Sequence, residues 1–225
     1  MTLRSFLCAL MFACMSCGVE QPGIEESAYP AAGLYTPGSL LGASDPTDTP
    51  TPGMGLGARC TPLGGVAEGV PSTAGTLTVE YKTRSLDGRY APKNCTAVWI
   101  ETMDGRYVAT LELAALLRKP GLVYFQEHAC PEKPGPDVVT SATLTNHDKM
   151  HMATWKGLDM DGMPVPDGPY VLFVEVTESD KEPGVVATYD FDKGPTAFSG
   201  ERSVAVDGAL ESISLAWEPA AGGGG

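Results

Sequence analysis

The stretch from Trp155 to Glu178 limits the possible folds more than any other. From Tyr170 its residues alternate. Tyr170, Leu172, Val174 and Val176 fall on one face, and Val171, Phe173, Glu175 and Thr177 on the other. A period of two with β-branched and aromatic residues marks a strand. Both faces begin apolar, so the first half of this strand is expected to be central in its sheet or covered on both sides. Upstream, Gly157, Gly162, Pro164, Pro166 and Gly168 exclude a regular element. Asp159, Asp161 and Asp167 are suited to hold the turn by bonding nearby backbone N–H groups. Tyr170 stands just past the corner, where its ring can pack inward while its hydroxyl bonds to upstream backbone, as in the tyrosine corner of Greek-key sandwiches.

A second signature lies earlier. Val98–Thr102 reads as a strand, Met103-Asp104-Gly105 as a hairpin turn and Arg106–Leu111 as the return strand, with Asp-Gly supplying the positive φ that a tight turn needs. Thr76–Thr83 alternates as a first strand. Asp137–Thr145, Met150–Trp155, Val185–Phe191, Ser203–Val206 and Ile213–Trp217 complete the set, with Asp207-Gly208 as a turn between the last two. Glu112–Arg118 is the best helical candidate, stopped by Pro120-Gly121, and Leu122–His128 is expected to pack as a crossover. About eight short strands separated by Gly/Pro turns predict an all-β, immunoglobulin-like β-sandwich with one short helical crossover.

The two signatures together carry a resemblance. Asp104-Gly105-Arg106-x-Val108-x-Thr110-Leu111 is followed by His151-x-x-x-Trp155-x-Gly157-x-Asp159-x-x-Gly162-x-x-Val165-Pro166-x-Gly168-x-Tyr170. This pattern resembles the immunoglobulin-like repeat of the flagellar hook-capping protein. With Val98-Trp99-Ile100-Glu101 in front, Thr140-Ser141-Ala142-Thr143 between and Val174-Glu175 behind, it also resembles a family of predicted periplasmic proteins of unknown function. Lys156 departs from the pattern, which usually has an acidic or amide residue there. The resemblance implies an immunoglobulin-like sandwich outside the cytoplasm and carries over no catalytic residue.

The rest of the chain supplies an address. Arg4 precedes an apolar run, Phe6–Met15, that is too short to cross a bilayer as a helix and reads as a signal peptide. Ser16-Cys17 resembles the lipidation junction of bacterial lipoproteins and Ala13-Cys14 is the alternative, although neither has the usual Leu three residues before the Cys. Residues 18–75 hold 12 of the 27 Gly and 8 of the 19 Pro, with few apolar positions at any period, and read as a disordered linker. Its ends would sit about 45 Å apart as a random coil, enough to lift a domain from a membrane. The expected organisation is a leader over 1–17, the linker over 18–75, the sandwich over 76–218 and a disordered tail over 219–225. With 15 basic against 28 acidic residues the chain carries a net charge of −13, and loss of Arg4 with a leader makes it more negative. That charge opposes binding to nucleic acid or an anionic membrane surface. The membrane contact expected is the lipid anchor alone, and the partner an unidentified envelope protein.

Beyond the leader, three cysteines remain, Cys60, Cys95 and Cys130, and an exported chain meets oxidising conditions. Cys95–Cys130 is the expected disulfide because both flank domain strands, with Cys60–Cys130 as the alternative. No zinc spacing is present. His147-Asp148-Lys149-Met150-His151-Met152 places imidazole and thioether groups together, a ligand set suited to copper, although strand alternation splits His151 from Met152. Asp159-x-Asp161-Gly162 lacks the remaining ligands of a calcium loop, Ser141 lacks a nucleophile elbow, and Trp99, Trp155 and Trp217 suit a core. Glu101 and Glu175 could pair only if their strands were adjacent, and a solvated sheet face is the simpler expectation. The expected function is an exported, lipid-anchored, non-catalytic binding or structural module of the cell envelope, periplasmic or on the outer membrane, with no cofactor. The alternative is a periplasmic metal- or haem-handling factor using His147, His151 and the neighbouring Met150 and Met152. An accessory role in shaping an envelope complex is a third reading.

Overall fold

A computed structural model describes residues 59–116, 118–179, 184–204 and 208–221. The expected leader, both lipidation candidates Cys14 and Cys17, and the linker up to residue 58 lie outside the described residues. Among the described residues, nine strands form two sheets: β1 Gly75–Thr83, β2 Cys95–Thr102, β3 Tyr107–Ala114, β4 Val139–Ser141, β5 His151–Trp155, β6 Gly168–Thr177, β7 Val185–Lys193, β8 Phe198–Glu201 and β9 Leu210–Pro219. The first sheet has the order β5-β1-β9-β8 and the second β4-β3-β2-β6-β7. All pairings are antiparallel except β3–β4. This is the expected all-β sandwich.

The alternation read in β6 is realised on both faces. Tyr170, Leu172, Val174 and Val176 join Trp155, Trp217, Leu77 and Ile100 in the core between the sheets. Val171 and Phe173 face outward into a second cluster with Trp99, Ala97, Phe125 and Cys130. That outer face is covered by the α-helix α1, Val123–His128, whose Phe125 and His128 are buried. The expected tyrosine corner is present: Tyr170 donates its hydroxyl to the Pro166 carbonyl at 2.7 Å while its ring meets Trp155 edge-on, the centroids 5.6 Å apart. The Asp104-Gly105 hairpin also forms, with Gly105 at φ 80° and the Thr102 N–H donating to the Arg106 carbonyl.

The described residues of Glu112–Arg118 are not helical. The first three end β3, pairing with Thr96–Val98 of β2. Every residue of β3 is buried. A strand covered on both faces loses its alternation, and with Leu113–Leu117 reading as a continuous apolar run, Glu112–Arg118 looks helical. The crossover helix lies instead in Leu122–His128, within the segment expected to pack there. Asp137–Thr145 shrinks to the three residues of β4. Ser203 and Val204 are not in a strand, and Ala205 and Val206 lie outside the described residues. β9 pairs with β1 on one side and with Phe198–Glu201, not Ser203–Val206, on the other.

The chain joins the packed domain earlier than residue 76. Leu63 packs on the inner core and Cys60 on the outer one. Ser72 donates to the Val165 carbonyl, and Thr73 donates both its N–H and its hydroxyl to Asp167, each at 2.7 Å. Asp167 also meets Lys193 Nζ at 2.7 Å. The disulfide joins Cys60 to Cys130, and Cys95 is a buried thiol outside it. The expected Cys95–Cys130 bridge is therefore corrected to the alternative. Cys95 opens β2 in the outer cluster, but the arriving segment brings Cys60 to the end of α1, where Cys130 lies.

Candidate binding cleft

Four consecutive residues running into β5, Lys149, Met150, His151 and Met152, line a surface cleft of about 500 Å³ together with Glu80 and Glu112. The register explains the grouping. β5 is the edge strand beside β1, with Met152 opposite Glu80 and His151 opposite Tyr81. Side chains of a strand alternate in face, so a cleft lined by residues 149 through 152 wraps the free edge of β5. Met150 and Met152 are 47% and 61% exposed, whereas Glu112 is 6% exposed.

The floor of the cleft is fixed by hydrogen bonds. Tyr81 donates its hydroxyl to Glu112 Oε2 at 2.7 Å, and the His151 ring stacks on the Tyr81 ring with centroids 5.5 Å apart. Burial pushes the Glu112 carboxyl above its ordinary range, against the opposing pull of the Tyr81 hydrogen bond and the charges of His151 and Lys149. Burial, then the Glu112 charge, pushes the Tyr81 hydroxyl well above its own. His151 Nε2 lies 3.3 Å from the Asn146 carbonyl. A carbonyl only accepts, so Nε2 is the donor, and in the neutral ring Nδ1 presents a lone pair.

The structure separates the sequence-predicted ligand set. His147 uses both ring nitrogens elsewhere, Nδ1 with Thr83 Oγ1 at 2.9 Å and Nε2 with the Pro92 carbonyl at 2.7 Å. It does not line the cleft, whereas Met150, His151 and Met152 do. Glu80, Tyr81 and Glu112 were missed by sequence reasoning. The available signal was Glu112 itself, a lone carboxylate inside the apolar run Tyr107–Ala114.

Glu101 and Glu175 do lie on adjacent strands, β2 and β6, but Glu101 faces Val171 while Glu175 faces Ala97. Four positions of offset put them about 13 Å apart along the sheet, too far to share a substrate bond in acid–base work. Neither is solvated, at 3% and 0% exposure, which corrects the expected solvated face. Glu175 instead caps α1 from the sheet face beneath it. Leu122 at the helix start has no side-chain acceptor, and Glu175 takes the N–H groups of Tyr124 and Phe125 at 3.2 and 2.7 Å. Burial pushes its carboxyl up to about 7 in spite of those bonds. Glu101 accepts from Trp99 Nε1 at 2.9 Å. His128 Nδ1 lies 2.7 Å from Arg59 Nη1 and 3.6 Å from Glu101 Oε1. Arginine only donates, so Nδ1 is an acceptor and its approach to Glu101 is not a hydrogen bond.

The remaining candidates resolve into structural roles. Asp159 Oδ1 accepts the N–H groups of Asp161 and Met163 and holds the turn. Asp161 meets Lys133, and Asp167 meets Thr73 and Lys193, so the three acids point to separate partners. Ser141 lies in β4, while His147 is held by Thr83 and Pro92. Trp99, Trp155 and Trp217 are fully buried. No protein-family model, curated protein or solved structure matches this chain.

Proposed function

We propose that the chain is an exported, lipid-anchored protein that presents one β-sandwich as a non-catalytic binding or structural module of the bacterial cell envelope. The observation that carries the reading is the Cys60–Cys130 disulfide, which ties the start of the packed domain to its helix. Such bonds persist in oxidising compartments, in keeping with the charged start, short apolar run and Ser16-Cys17 junction of the leader. The resemblance to the hook-capping repeat and to predicted periplasmic proteins supports the same address. Residues 18–58, rich in Gly, Pro and Thr, suit a spacer between the anchor and the sandwich. The partner is an envelope protein, and the surface that meets it is proposed to lie at strand edges and turns.

The intact mass of the mature protein from a membrane fraction, before and after reduction, tests this. The expected mass corresponds to a chain starting at Cys17 with acyl groups attached, and it gains two hydrogens on reduction. A chain that is recovered soluble, without acyl mass, overturns the reading.

A further inference from the structure

We propose that the cleft at the free edge of β5 binds one soft monovalent cation, Cu(I), through the thioethers of Met150 and Met152 and Nδ1 of His151. Thioether sulfur selects Cu(I) over harder cations, and imidazole is compatible with it. Met150 immediately precedes β5 and Met152 is its second residue, and both exposed side chains line the cleft. The three side-chain torsions of methionine let two such sulfurs converge on one ion.

Four further observations support the assignment. First, Met152 stands among polar neighbours. The solvent face of the first sheet beside it is built from Thr78, Glu80, Lys82, Ser212 and Ser214, and Met152 is 61% exposed there. Met103 and Met163 are also exposed, but neither lines the cleft. Second, Nε2 of His151 is turned to the Asn146 carbonyl, so the neutral ring offers its Nδ1 lone pair to the cleft. Third, the imidazole is held by the Tyr81 ring, which is itself fixed by Glu112. Ring orientation by outer partners of this kind is a common feature of metal-binding histidines. Fourth, Glu80 and Glu112 bring negative charge to the cleft, against the single cation of Lys149 on its rim. His147 is excluded from the site because both of its ring nitrogens are occupied.

The inference deepens the binding-module reading by naming the ligand of one surface. Metal uptake and acyl mass are separate measurements, so either can fail without the other. The test uses the full chain with its accessible thiols alkylated, so that cysteine sulfur cannot take the ion. Cu(I) held by a chromophoric chelator is titrated against it. The wild type is expected to withdraw one equivalent. Met150→Leu/Met152→Leu and His151→Ala should each lose more than about 100-fold in affinity, beyond the effect of removing an outer partner. His147→Ala should bind as the wild type does. In parallel, Ag(I) should shift the methyl signals of Met150 and Met152 in ¹H–¹³C spectra, a readout that needs no variant to fold. Failure of the wild type to withdraw Cu(I) overturns the proposal. So does equal withdrawal by the double-leucine chain, or an Ag(I) response confined to other methionines.

Discussion

The Cys60–Cys130 bond makes the most quantitative claim on stability. It links residues separated by 70 positions, a span that includes β1, β2, β3 and α1. In the chain-entropy model, closing a loop of that length restricts the unfolded ensemble by about 4 kcal/mol. For a chain of this size each kcal/mol moves the midpoint by about 2–4 °C, so reduction should lower Tm by about 8–16 °C. The denaturant slope should also rise, because an unlinked chain exposes more surface on unfolding. The assay is urea and thermal unfolding of the oxidised and reduced chain, with peptide mapping of the oxidised form. Cys60→Ser and Cys130→Ser should each abolish the gain of two hydrogens on reduction, while Cys95→Ser keeps it. A linked peptide containing Cys95 would refute the pairing. A stability change below about 1 kcal/mol would refute the loop-entropy argument, since it would mean that the reduced unfolded chain is already as restricted as the linked one.

Three further outcomes follow from the hydrogen bonds and buried charges. Tyr170→Phe keeps the ring against Trp155 and removes the donor to the Pro166 carbonyl; it should cost about 1 kcal/mol in urea unfolding, with native near-ultraviolet dichroism retained. Burial alone would raise the Asp167 carboxyl, but bonds from Lys193 and Thr73 together hold it below its ordinary value of 3.8. The contribution of Asp167 to stability is therefore present above that value and lost as pH falls through its lower folded value. Lys193→Met, which removes the partner of Asp167 from a site only 2% exposed, should destabilise by about 2–4 kcal/mol and weaken that acid dependence. Glu175 has the opposite sign. Its carboxyl is raised from 4.5 to about 7, so the folded state binds the extra proton between those values and stability falls as pH rises through that window. Glu175→Gln should flatten the change in unfolding free energy measured between about pH 5 and about pH 8.

What the sequence could convey depended on how each face is covered. The β6 alternation was legible because one face meets the inner core and the other the outer cluster, and both take apolar residues except at Glu175 and Thr177. The tyrosine corner was legible because a turn rich in Gly and Pro and a following aromatic specify it locally. β3 was misread from Glu112 onward for the same physical reason that makes it central: with both faces covered, periodicity gives no signal to separate strand from helix. The disulfide depended on where residues 59–62 dock, a non-local contact that no spacing encodes. In the cleft, the imidazole and thioether types were visible in residues 147–152, but the sorting of His147 from His151 needed tertiary partners. Thr83 and Pro92 claim the first, while Tyr81 and Asn146 orient the second.

The coverage of the two sheets also directs where recognition can occur. β2, β3 and β6 are buried along nearly their whole length, because the inner face meets the opposite sheet and the outer face meets α1 and the segment around Cys60. The ionisable groups of that outer layer are already engaged: Glu175 by the start of α1, Glu101 by Trp99 and His128 by Arg59. A ligand reaching them would have to displace the helix and expose Phe125, Trp99 and Phe173 to water, at about 1.5–3 kcal/mol for each large side chain. The first sheet has an open outer face, but Thr78, Glu80, Lys82, Ser212 and Ser214 make it polar. Binding energy is therefore available chiefly at edges and turns. Among the edges described, the start of β5 is distinguished by combining exposed thioethers, an oriented imidazole and a buried carboxylate in one cleft.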